Sequence, residues 1–139
     1  MQPIDFLRAL ALGLVVLVGT LLASVLMVAF YAYVINPGHS QDVYNAAALW
    51  IAPWASHVFG PLLFFWGNYR GAVRKPQRNA IAFACASIVG YVILDMASVP
   101  LFGTTFATVL TLTFFLSLGG KTVGALLGAW LGGRARSRP

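Results

Sequence analysis

The sequence predicts an all-α integral membrane protein: four transmembrane helices in an up-down-up-down bundle, with both termini cytoplasmic. Composition and run length carry the fold class, and charge placement carries the orientation. Of 139 residues, 60% are hydrophobic and only 9% are charged, whereas soluble domains hold about 25% charged residues. The apolar residues gather in runs long enough to cross a bilayer, which takes about 20 residues as helix. Eight of the nine Lys and Arg lie outside those runs, as Arg8, then Arg70, Arg74, Lys75 and Arg78, then Arg134, Arg136 and Arg138.

The first span, about 8–35, holds 27 consecutive uncharged residues from Ala9 and ends at the turn signal Asn36-Pro37-Gly38. As a helix that run measures about 40 Å against a hydrocarbon core of about 30 Å, so it tilts or protrudes. A cleaved signal peptide carries a shorter apolar region of about 7 to 15 residues, so this segment is read as a retained span. The second, about 44–68, follows a short polar loop and is again free of Asp, Glu, Lys and Arg. Four cations and Pro76 mark the next segment as a loop. The remaining apolar stretch is too long for one crossing. Pro100 and Gly103 place its turn, giving spans of about 79–99 and 104–131 and a basic tail at 132–139. The whole chain, 1–139, is then a single four-span domain.

The loops near 36–42 and 99–104 contain no Lys or Arg, while the basic segments all fall at the other side. This is the positive-inside pattern and puts both termini in the cytoplasm, with a bacterial inner membrane as the expected location. Short loops predict consecutive helices as antiparallel neighbours, with the first and last helices also adjacent. The net charge of +6 has no base-reading platform beside it, so membrane lipids are the expected partners and nucleic acid is not. Cys85 is the only cysteine, which leaves no dithiol for redox chemistry.

Ionisable groups inside spans are costly and need a partner, water or a route to the interface. His57, Asp95 and Lys121 are the three, and Tyr91 shares a helical face with Ser87, Asp95 and Ser98. Thr104, Thr108 and Thr111 make a second polar stripe, so spans three and four are expected to line a small cleft. Counted at 1.5 Å per residue, Asp95 and Lys121 lie roughly 18 Å apart in depth, which argues against a direct pair. Lys121 then reaches the inner headgroups by snorkelling. His57 lies between Pro53 and Pro61, each of which frees a backbone carbonyl, and a donor to one of those carbonyls is its structural reading. An ion, proton or solute site is its functional one. No set of His, Cys and carboxylates has metal-ligand spacing, so no metal, cofactor or catalytic residue is expected.

Gly120, Gly124, Gly128 and Gly132 recur every four residues. Such a ridge lets another backbone approach closely. The neighbour is either a helix of the same chain, with span one offering Ala9, Ala11 and Gly13, or a second subunit or membrane-protein partner. Function is expected to be non-enzymatic and structural, assembly through this close packing. The alternative is a small oligomeric transporter or channel with an intramembrane polar site.

Overall fold

The computed structural model describes residues 2–101 and 105–135. Thr104, the side chain of Thr108, and Arg136 and Arg138 of the tail lie outside that description. Every regular element among the described residues is helical. Helix α1, Pro3–Phe30, starts at a proline whose missing N–H would be unbonded in the first turn anyway. It runs on through a π-helical turn, Tyr31–Ile35. The loop that follows turns at Gly38, which has φ 83°, a conformation that favours glycine. Tyr44 pins it, donating to the Asn36 carbonyl and accepting the His39 N–H, both at 3.0 Å.

Helix α2, Gln41–Arg74, has 34 residues and is about 51 Å long. It outruns the expected 44–68 at both ends, running on through Pro53 and Pro61 and stopping only before Pro76, which holds Lys75 out of the α region. Helix α3, Ala80–Leu101, is opened by Asn79, whose Oδ1 accepts the Ala82 N–H at 3.0 Å. It carries Pro100 in its last turn. A short helix α4, Phe106–Val109, precedes α5, Leu112–Ala135. The fourth span therefore does not run unbroken from 104. Thr111 interrupts it, its Oγ1 accepting the Phe114 N–H at 3.4 Å and restarting the helix.

Four helices, Pro3–Ile35, Gln41–Arg74, Ala80–Pro100 and Leu112–Ala135, are long and apolar enough to cross a membrane. Large apolar side chains face outward along them, Leu26 being 68% and Leu49 80% exposed. Hydrocarbon solvates such a surface, so helix association rests on close packing.

Neighbour relations differ from the expectation. The most extensive contact joins α2 to α5, which run parallel, and α1 packs against both α2 and α3. Helices α2 and α3 touch sparingly although a short loop joins them, and α1 and α5 make no extensive contact. The glycine ridge explains the order. A Cβ on Gly124 or Gly128 would collide with the carbonyl of Pro61 or Phe65, and one on Gly132 would lie 2.7 Å from the Tyr69 carbonyl oxygen. The in-chain neighbour of the ridge is thus α2 and not α1. Positions 61, 65 and 69 share the four-residue repeat of the glycines, so the two ridges stay in register. Gly13 of α1 meets α3 instead, its Cβ position lying 2.7 Å from the Tyr91 amide nitrogen.

At the end of the bundle that gathers the basic segments, Arg78 is buried, 8% exposed, and not spread into solvent. Its guanidinium lies 3.5 Å from the Asp5 carboxylate, donates to the Gly71 carbonyl at 3.0 Å and stacks 3.4 Å from the Phe83 ring centroid. Burial pushes this guanidinium below its ordinary pKa, and the Asp5 charge opposes that shift.

Candidate functional site

Ser56 and His57 of α2, Tyr91 and Asp95 of α3, and Ser117 and Lys121 of α5 converge on one cavity of about 220 Å³. Thr111 and Thr113 close it on the α4–α5 side. Two of the helices contribute an i, i+4 pair, which a helix presents on a single face. The bundle order produces the convergence, because α5 lies between α2 and α3.

Lys121 is the centre of the site. It is 3% exposed, and its Nζ donates to Ser56 Oγ at 2.8 Å, the Tyr91 hydroxyl at 2.8 Å and Ser117 Oγ at 2.9 Å. An ammonium has three N–H donors, and all three are used. The ammonium also lies 4.6 Å from the Tyr91 ring centroid, within cation–π range. Gly60 makes room for the stem: a Cβ there would meet Lys121 Cγ at 3.0 Å and Cδ at 3.3 Å. The Tyr91 ring is fixed from behind by Phe64, edge to face at 5.6 Å. Its hydroxyl is in polar contact with the Asp95 carboxyl, so tyrosine stands between the lysine and the aspartate.

Two expectations are corrected here. Lys121 does not snorkel. Asp95 and Lys121 are not held far apart, since they line the same cavity. The depth count began α5 at 104, whereas the helix restarts at Leu112, only about 14 Å before Lys121. Helical side chains also lean toward their N-terminus, which brings the Lys121 ammonium back toward that end and the Asp95 carboxyl inward to meet it.

His57 directs Nδ1 to the Pro53 carbonyl oxygen at 2.6 Å. A carbonyl only accepts, so Nδ1 carries the proton and Nε2 of a neutral ring is left with its lone pair. The bonded carbonyl is the ordinary i−4 partner, not one of those a proline frees. The ring lies against Trp54, centroids 6.3 Å apart. His57 also borders a second, apolar groove of about 460 Å³, lined with Trp50, Pro53, Trp54, Thr113 and Leu116.

The expected stripe on α3 divides. Tyr91 and Asp95 face the cavity, whereas Ser87 donates to the Ala84 carbonyl and accepts from Asn68, and Ser98 bonds the Asp95 backbone oxygen. Of the residues that complete the site, Ser117 carried a usable signal, being one helical turn before Lys121. Gly60 and Ser56 carried none without knowledge of which helices meet. Gly124, Gly128 and Gly132 stand apart from the cavity, packed on α2. Comparison with protein-family models, curated proteins and solved structures finds no match.

Proposed function

We propose that this is a small integral membrane protein of the carrier or channel type, non-enzymatic, which binds a polar solute in the cavity among α2, α3 and α5. The single observation that carries the reading is Lys121, buried with every N–H bonded to a hydroxyl that lines the same cavity as Asp95 and His57. Interhelical hydrogen bonding alone needs only Ser and Thr, at about 1 kcal/mol or less per contact. Inserting a lysine and an aspartate costs several kcal/mol more, and such residues mark pathways for solutes, ions or protons. A purely structural role in assembly is the less supported reading, since Gly124, Gly128 and Gly132 are already covered by α2.

The positive-inside pattern of the basic segments supports a cytoplasmic position for their end of the bundle, with both termini, in an up-down-up-down arrangement suited to a bacterial inner membrane. Asp95, near the C-terminal end of α3, then opens toward the other side. The test is uptake into proteoliposomes from a mixed panel of small ions, amino acids and amines, read by mass spectrometry of the lumen. At least one solute should accumulate above empty liposomes and cease to do so in Lys121→Met. A panel in which none accumulates, or accumulation equal in the variant, rejects the reading.

A further inference from the structure

The hydrogen-bonding capacity left over in the cavity is uneven. Lys121 has spent its three donors on Ser56, Tyr91 and Ser117. Ser56 and Ser117 also face each other, Oγ to Oγ at 3.3 Å. What remains, besides one serine O–H, is a carboxylate, Asp95, and the lone pair on His57 Nε2, both acceptors. The hydroxyls of Thr111 and Thr113 serve either way. An anion entering here would find only hydroxyl donors and would face Asp95 as well as Lys121, whose N–H groups are already used. A ligand that donates would find two partners.

The cavity is also small. Ligand pockets occupy about 300–1,000 Å³, more than its 220 Å³. The groove beside it, about 460 Å³, shares Pro53, His57 and Thr113 with the cavity, so the two spaces adjoin at the imidazole. The groove opens outward, with Trp50 and Trp54 more than half exposed along it. Indole faces attract cations as well as apolar groups.

We infer that cavity and groove together bind an amphiphilic protonated amine, its ammonium donating to Asp95 and His57 Nε2 and its apolar part lying along Trp50, Trp54 and Leu116. The inference rests on the solute-binding reading and names its substrate class. Entry is lateral, from the bilayer, through the groove. Each part of the amine meets its complement: a charge-assisted hydrogen bond in the cavity, and aromatic and apolar surface in the groove.

The experiment uses the full chain in phosphatidylcholine nanodiscs at pH 7, with calorimetric titration and empty discs as the blank. Four probes separate the terms: octylammonium, octyltrimethylammonium, octanoate and propylammonium. Octylammonium should bind saturably. Octyltrimethylammonium, which lacks N–H, should bind about tenfold or more weakly, as should octanoate, given the strength of hydrogen bonds to charged groups. Propylammonium should be weaker through loss of the groove contact. Asp95→Asn should weaken octylammonium to the level of the quaternary probe, and Trp54→Ala should weaken octyl but not propyl binding. The probe series on the unaltered protein decides the matter even where a variant fails to fold. Octanoate binding as well as octylammonium, or no saturable octylammonium binding above the blank, overturns the ammonium class. Uptake of some other solute that depends on Lys121 would still uphold the cavity as a solute site, so the two failures are distinct.

Discussion

Gly60 of α2 and Lys121 of α5 share one volume. A side chain of even one carbon at residue 60 would meet Cγ of the lysine at 3.0 Å. The absence of a side chain on one helix thus lets the charged side chain of another lie between helices, with its ammonium delivered to three hydroxyls.

Gly60→Ala should displace the lysine stem and lengthen its hydrogen bonds, costing about 1–3 kcal/mol as overpacking does. Thermal unfolding in mild detergent checks the sign. In a Lys121→Ala background the same change should cost little, so a double-mutant cycle should return a coupling of about 1 kcal/mol or more.

Along the α2–α5 ridge, Gly128→Ala should destabilise by about 1–3 kcal/mol, because its methyl group would collide with the Phe65 carbonyl. Gly119→Ala is the control, with nothing within 4 Å of its Cβ position. It should be neutral, or stabilising by up to about 1 kcal/mol from helix propensity. Equal losses at both positions would show that the ridge is not the tight interface.

The four apolar helices were legible in the sequence because their runs, two of them free of charge for 27 residues, are long enough to cross a bilayer. Which faces meet was not. Span one offered small residues to the glycine ridge, whereas the ridge meets the backbone of Pro61, Phe65 and Tyr69 on α2, residues whose side chains give no such signal. Asp95, His57, Tyr91 and Lys121 were visible individually. Their convergence was hidden because one hydroxyl, Thr111, resets the start of α5, and because α2 and α3, consecutive in the chain, meet at few points and are joined mainly through α1 and α5. Arg78 was read as one of four loop cations, and nothing in the loop sequence separates the buried one from Arg74 or Lys75.

Asp5→Asn should loosen the packing of α1 at the basic end, since both side chains of the Asp5–Arg78 pair are under a tenth exposed. The expected loss is smaller than that of a tightly bonded buried pair because the atoms lie 3.5 Å apart. Asp42→Asn, at an exposed site in the first turn of α2, should change stability by about 0.5 kcal/mol or less. Unfolding measured at low and high salt should show the Asp5 loss to be nearly salt-independent.

Removing single acceptors from Lys121 should be graded. Tyr91→Phe and Ser117→Ala each leave one N–H of a buried ammonium without a partner, at about 1–3 kcal/mol. Lys121→Met removes the charge at similar volume but leaves Asp95 without the cation that shares its cavity, so it should cost more than either, as loss of one partner of a buried pair does. Stability of Tyr91→Phe equal to that of the unaltered protein would mean that the hydroxyl is not a necessary acceptor.

The most direct test of the polar cavity as the working site compares solute uptake by proteoliposomes carrying the unaltered protein, Lys121→Met and Asp95→Asn, each first shown to be folded by its elution and unfolding profile. Uptake lost in both variants, with folding kept, is the predicted result. Uptake unchanged in both would contradict the account and return the cluster to a role in helix packing.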